Sequence, residues 1–219
     1  MNASKNNHDI STPSQWMEGW SKLYENQLTK SEEDLRDIFP NYIVQLFISL
    51  VEISDEGKTA LEFACGGGEN SCALAKYLGY NILAFDALET AITLSKRRAR
   101  IFAVEDKIHF KVGTMKSYPP KNEKYDLIIA LQCLQYLFEE TMVKLSEILN
   151  SIKPGGYFIY SGNILPHKPT EKPIRFITPE ELKNKLHGWN FLVFGTEEIL
   201  LKKNDLRGYV RLIAQKPME

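Results

Sequence analysis

Two acids and a run of glycines are the residues of this sequence best suited to chemistry. In LEFACGGGENSCALA (Leu61–Ala75), Gly66, Gly67 and Gly68 join an apolar run to a helical pattern. Glycine lets backbone approach a ligand closely, and the first turn of a helix offers unpaired N–H groups to an anion. A carboxylate or a phosphate would satisfy that arrangement equally, and a plain tight turn would use the same residues. Asp86 closes the next apolar run. An acid there can accept hydrogen bonds from both hydroxyls of a ribose, or it can cap the following helix. Glu62 lies inside the first apolar run. Its charge requires a partner, either a ligand ammonium or the backbone of the glycine loop.

The elements that would position these groups follow from periodicity. Residues 1–14 are polar and read as a disordered tail. Residues 15–57 read as an N-terminal helical cap: one helix through WMEGWSKLYENQL, and a second through DIFPNYIVQLFISLVEI opened by Pro40. From residue 58 to 219 strands alternate with helices. Strands are expected over Thr59–Ala64, Asn81–Asp86, Ile108–Val112, Tyr125–Leu131 and from Tyr157. Helices are expected over Asn70–Leu78, Ala91–Val104 and about Glu139–Ile152. The second of these has Lys and Arg toward its C-terminal half, which suits the macrodipole. KPGG (Lys153–Gly156) reads as the stop of the third, and Thr178-Pro179-Glu180-Glu181 as a capped helix start. Two final strands joined by KKNDLRG read as an antiparallel pair. The pattern is α/β: a doubly wound, mostly parallel sheet whose ligands bind beyond the carboxyl ends of its strands.

Composition excludes several classes. Lys and Arg total 27 against 28 Asp and Glu, giving a net charge of −1, so no broad field attracts nucleic acid. Three cysteines (Cys65, Cys72, Cys133) lack zinc-type spacing and cannot build a disulfide framework. They fit a reducing cytoplasm. No apolar run reaches membrane-spanning length and the N-terminus is polar, so neither a membrane span nor a signal peptide is expected. The four histidines are scattered, and no metal site is expected. A P-loop is excluded because no Lys-Ser or Lys-Thr follows the glycines, and the dinucleotide fingerprint would need glycine where Ser71 stands.

Taken in order, LEFACGGG, AFDAL, HFKVGTM, KYDLIIALQCLQYL, IKPGGYFIY and YVRLIAQKP resemble the motifs of a class I S-adenosylmethionine-dependent methyltransferase of the small-molecule type, from about Lys58 to Pro217. The resemblance implies a seven-stranded Rossmann-like sheet with S-adenosylmethionine as cofactor and S-adenosylhomocysteine as product. It implies that Glu62, Ala64, Cys65, Gly66 and Gly68 hold the methionine part, with Asp86 and Ala87 at the ribose. Thr114 and Met115 would border the adenine, and Ala130 and Leu131 the methyl group. Two positions depart from the pattern. Ala64 replaces the loop's first glycine, and Thr114 replaces an acid beside the adenine amine.

The acceptor side is read from the variable segments. Trp16, Trp20 and Tyr24 recur at spacing four on one face of the first helix. Gln132, Gln135 and Tyr136 follow the fourth strand, and His167 and Arg175 lie in the insertion NILPHKPTEKPIRF. Of these, Trp20, Tyr24, Gln135, Tyr136, His167 and Arg175 are the substrate candidates; core packing and solvated loop positions are the alternatives. No residue is singled out as a catalytic base. The expected activity is methyl transfer to O, N or S of a small soluble acceptor, without a nucleic-acid or membrane partner. An NAD-dependent oxidoreductase and a non-catalytic cofactor-binding regulatory module remain as alternatives.

Overall fold

A computed structural model of the chain describes residues 13–37, 39–52, 57–120, 122–164, 174–202 and 205–218. Side chains are described from residue 17 onward, except those of 201–202 and 205–206. Helices α1 (Pro13–Leu28), α2 (Glu32–Arg36) and α3 (Tyr42–Leu50) precede β1 (Thr59–Phe63). There follow α4 (Glu69–Leu78), β2 (Asn81–Asp86), α5 (Glu89–Phe102), β3 (Ile108–Val112), β4 (Tyr125–Leu131), α6 (Thr141–Asn150), β5 (Ile152–Asn163) and α7 (Pro179–Lys185). The last strands are β6 (Asn190–Lys202) and β7 (Asp205–Gln215). Among the described residues seven strands form one sheet in the order β3-β2-β1-β4-β5-β7-β6. Only β7 runs against its neighbours, pairing antiparallel with both β5 and β6.

The near-continuous apolar strands follow from a sheet covered on both faces. Ala60, Leu127, Ile129, Ile159 and Ile213 face the side packed by α3 and α4, with Ile43, Phe47 and Leu74. The alternate residues Leu61, Phe63, Ile128, Ala130, Phe158 and Leu212 face the side packed by α6 and α7, with Leu145, Ile148 and Leu182. Strand order reverses between β1 and β4, and the strands on either side of that point end at the glycine loop and at Leu131.

Four local expectations are corrected. Pro40 does not open a helix: Asn41 is the N-cap of α3, its side chain accepting from the Ile43 N–H, and Pro40 lies one residue earlier. Ahead of it, α2 is a separate turn held by a capping box between Ser31 and Asp34. KPGG lies inside β5 at an irregularity in its pairing with β4, and α6 already ends at Ser151. In KKNDLRG, Asp205 to Gly208 belong to β7, so the turn is shorter than expected. The Thr178 capping box, with Pro179 in the first turn and Glu181 as partner, is present. Residues 1–12 of the expected tail lie outside the described residues, while Pro13 and Ser14 already belong to α1.

Candidate active site

The glycine loop is built on unusual backbone. Between the end of β1 and the start of α4, Ala64, Gly66 and Gly68 have φ of +49°, +54° and +80°. Glycine adopts this region freely, whereas an alanine costs on the order of 1–2 kcal/mol there. Ala64 is therefore tight for a backbone reason as well as for its added methyl. The loop is fixed on several sides. Cys65 N–H donates to the Phe85 carbonyl (2.9 Å) and Gly68 N–H to the Cys65 carbonyl (3.0 Å). Gly66 N–H donates to Asp86 Oδ2 (3.0 Å), and Ser95 Oγ donates to the Gly66 carbonyl (2.8 Å).

Asp86 performs the capping role and keeps capacity for more. Its Oδ1 accepts from the Leu88 N–H (3.0 Å), at the N-cap of α5, while Oδ2 holds the glycine loop. Burial raises its pKa above the ordinary carboxylate range, and these backbone bonds oppose the rise. Each carboxylate oxygen can accept more than one hydrogen bond, so both still have capacity for a ligand hydroxyl.

Glu62 is 2% exposed, and its partners are side chains from the first turn of α4. Asn70 Nδ2 donates to Oε1 (2.9 Å) and Ser71 Oγ donates to Oε2. Burial lifts its pKa to about 7 against the pull of these bonds. The Oδ1 of the same Asn70 accepts from the Asn41 N–H (2.8 Å), which links β1 to the start of α3.

Beyond these strand ends lies a cavity of about 370 Å³ with mostly apolar walls. Ala64, Asp86, Ala87, Met115 and Leu131 line it from the cofactor candidates, and Trp20, Tyr24 and Tyr136 from the substrate candidates. Met17, Leu88, Gln132, Cys133 and Phe138 complete the lining. Tyr24 reaches the glycine loop itself: a Cβ placed on Gly66 would stand 2.8 Å from its hydroxyl oxygen. Burial, and then the nearby Asp86 and Glu69 carboxylates, push that hydroxyl's pKa up, so it stays a neutral donor. Trp20 stacks beside it with centroids 6.2 Å apart.

Other candidates stand elsewhere. Glu62, Cys65, Gly66, Gly68 and Ala130 are not among the lining residues of the cavity, and Glu62, Cys65 and Ala130 are buried. Thr114 is exposed, at the start of a short 3-10 turn, Met115–Ser117. Gln135 is buried, its Nε2 donating to the Gln132 carbonyl (3.2 Å). Arg175 is paired with Glu181 and donates to the Phe176 carbonyl (3.1 Å). His167 and the side chain of Trp16 lie outside the described residues. Among the lining residues that the sequence reading missed, Met17 shares the helical face of Trp20 and Tyr24, a signal that spacing alone could have carried. Cys133 and Phe138 depend on the path of the loop after β4, where Gln132 and Phe138 take φ of +55° and +54°. Such backbone strain clusters at functional sites.

Residues 60–156 match the family model described as a methyltransferase domain. Over that stretch, less than half of the chain, it is similar to class I S-adenosylmethionine-dependent methyltransferases. The chain is 28% identical over 127 residues to the fatty-acid O-methyltransferase of Mycolicibacterium smegmatis, across 57% of this chain and 44% of that protein. It is 26% identical over 149 residues to the ubiquinone biosynthesis O-methyltransferase of Hydrogenovibrio crunogenus, across 59% and 60%. The chain thus spans less than two thirds of the length of these two relatives. The N-methyltransferase NodS of Bradyrhizobium japonicum, solved with S-adenosylhomocysteine, shares the fold, with a TM-score of 0.63 over 90% of this chain and 98% of that one, at 15% identity.

The chain's own residues fit S-adenosylmethionine. Asp86 offers acceptor capacity to a ribose, while Ala87, Leu88 and Met115 give apolar walls suited to a planar base. The missing side chain of Gly66 lets the neutral Tyr24 hydroxyl sit against the loop, where a Cβ would stand 2.8 Å from it. The NAD alternative has no comparable support, because the family assignment and Ser71, buried against Glu62, both speak against a dinucleotide loop.

Proposed function

We propose that this chain transfers a methyl group from S-adenosylmethionine to O, N or S of a small acceptor with an apolar body. The carrying observation is the single cavity in which Asp86, Ala64 and Met115 from the sheet meet Met17 and Trp20 from α1. When bound, the cofactor supplies a methyl group activated by its sulfonium. The chain's residues supply position and dehydration. Asp86 orients the nucleoside, the loop from Ala64 to Gly68 receives the amino-acid end, and Leu131 faces the reacting region. Trp20, Tyr136 and Phe138 shield it from water.

Among the described residues the ionisable ones lining the cavity are Tyr24, Asp86, Cys133 and Tyr136, with no His, Lys or Arg. Burial raises the pKa of the two tyrosines and the thiol, so none is an anion near neutral pH. Asp86, already bonded to the loop and helix, is assigned to holding the ribose rather than to moving a proton. The acceptor must therefore bring its own nucleophilic lone pair or shed its proton to water, and apolar walls without a cation disfavour a strongly charged body. A phenol, thiol or amine on an apolar frame fits best. The reading extends to a cytoplasmic protein without a nucleic-acid partner. A net charge of −1 and three buried free cysteines support it. Among the described residues no helix is long and apolar enough to cross a membrane. Residues 58–218 would form the cofactor-binding domain, with the three preceding helices as its cap and wall.

Calorimetry with S-adenosylmethionine, S-adenosylhomocysteine and NAD, followed by product assay over a panel of phenols, thiols and amines, tests the proposal. Binding of both methionine-derived ligands and turnover of at least one acceptor are expected. Binding of NAD alone would overturn it. Cofactor binding without turnover of any acceptor would turn the reading toward a regulatory module.

A further inference from the structure

Among the described residues Arg98 is the largest fully buried side chain, at 0% exposure. A buried cation costs several kcal/mol unless compensated, and an apolar residue of similar volume commonly serves stability as well or better. The compensation here is specific. Nη1 donates to the Gly67 carbonyl and stands 2.9 Å from Glu69 Oε1, while Nε and Nη2 have no partner. One turn earlier on the same face of α5, Ser95 Oγ lies 2.8 Å from the Gly66 carbonyl and 2.9 Å from the Ala91 carbonyl, its one proton shared between the two acceptors. The packing leaves no room for side chains on the loop: a Cβ on Gly67 would meet Arg98 Nη1 at 2.6 Å, and one on Gly68 would meet Ser95 at 2.9 Å.

A trans peptide is planar, and its N–H points opposite its C=O. Drawing the Gly66 carbonyl toward Ser95 therefore turns the Gly67 N–H away from α5. Drawing the Gly67 carbonyl toward Arg98 turns the Gly68 N–H the same way, to the Cys65 carbonyl, which closes the turn at 3.0 Å. We infer that Ser95 and Arg98 are positioning residues for the cofactor: they preset the loop peptides so that the Gly67 N–H is offered to the amino-acid end before any ligand arrives. The inference rests on the methyltransferase reading and adds to it a source of cofactor affinity outside the cavity. Preorganised donors bind more tightly because their ordering cost is met in folding.

The test separates the two ends of the cofactor. S-adenosylhomocysteine carries the amino-acid end, whereas adenosine carries only the nucleoside that Asp86 would hold. Both dissociation constants are measured by calorimetry for the full chain and for Ser95→Ala, Arg98→Met and Arg98→Lys, with circular dichroism to verify folding. S-adenosylhomocysteine should weaken by about tenfold in Arg98→Met and roughly threefold in Ser95→Ala, while adenosine changes by less than about twofold. Lysine, which keeps charge and a donor, should recover part of the loss. Equal weakening of both ligands, or no weakening of S-adenosylhomocysteine, overturns the inference. If Arg98→Met does not fold, Ser95→Ala and Arg98→Lys decide by the same criterion. A wild-type chain that binds no methionine-derived ligand overturns the methyltransferase reading and this inference with it. Tight wild-type binding with unaffected variants overturns the inference alone.

Discussion

Replacing Glu62 by glutamine isolates what a buried carboxylate costs this fold. The wild-type carboxylate is enclosed, and burial outweighs its bonds from Asn70 and Ser71 to raise its pKa from 4.5 to about 7. A carboxyl whose folded pKa is raised holds its proton more tightly in the native state. Its contribution is therefore most favourable below about 4.5, declines as pH rises toward about 7, and stays low above that. At roughly 1.4 kcal/mol per pH unit the full decline is about 3 kcal/mol. Glutamine has no proton to lose. Its amide oxygen can still accept from Asn70, and its amide nitrogen can donate to Ser71 Oγ. Urea unfolding of both proteins from about pH 5 to about pH 9 should show the gap in unfolding free energy moving in the variant's favour by about 2–3 kcal/mol, mostly below about pH 7. Other titrating groups cancel in that gap. A gap constant to within about 0.5 kcal/mol across the range would refute the reasoning, because it would mean that Glu62 titrates near its ordinary value in the native state.

Three further outcomes are expected. Asp86→Asn, which exchanges one acceptor oxygen for a donor facing the Gly66 or Leu88 N–H, should weaken adenosine and S-adenosylhomocysteine alike by about 1–3 kcal/mol; unchanged calorimetric affinities would show that Asp86 holds no ribose. Ala64→Gly relieves a left-handed alanine but loosens the unfolded chain by about 0.4–1 kcal/mol, so urea unfolding should show a net change smaller than about 1 kcal/mol with cofactor affinity retained. A larger loss of stability would mean that the Ala64 methyl is a packing group. Trp20→Ala should raise the KM of a turned-over acceptor by about tenfold while moving the S-adenosylhomocysteine dissociation constant less than about threefold, and the reverse pattern would place Trp20 at the cofactor.

The sheet was legible because its evidence is local and repeated. YDLIIAL can be apolar on alternate residues in both directions only in a strand covered on both faces, and glycine punctuates the ends of α4. KPGG misled because a helix stop and an irregular strand start use the same residues. Arg98 was hidden more thoroughly. Within SKRRAR it looks like part of a solvated basic end that suits the helix dipole, yet it turns inward beneath the glycine loop. Asp86 was legible as the acid that ends β2 and lines the cavity because position at a strand end follows from pattern alone. Tyr24 was legible only as one of an aromatic stripe, since its place over Gly66 depends on how α1 docks.

That docking bears on how acceptor choice and cofactor binding can vary separately. Helix α5 starts three residues beyond the last residue of the acid-bearing strand and holds the glycine loop through Ser95 and Arg98. It also holds α1: Arg97 donates to the Leu28 carbonyl (2.6 Å) and the Lys30 carbonyl (2.8 Å), and Ser21 and Thr90 hydroxyls meet at 3.2 Å. The loop and the helix carrying Met17 and Trp20 are thus referenced to one rigid element, yet through different side chains. Residues on the cavity face of α1 can change to suit an acceptor while Thr90 and Arg97 keep the helix in place. Ser95 and Arg98 meanwhile keep the loop geometry, so substitutions at Met17 or Trp20 should reach the cofactor only weakly. Tyr24 is the exception, because its hydroxyl lies against Gly66 and joins the acceptor wall to the cofactor seat.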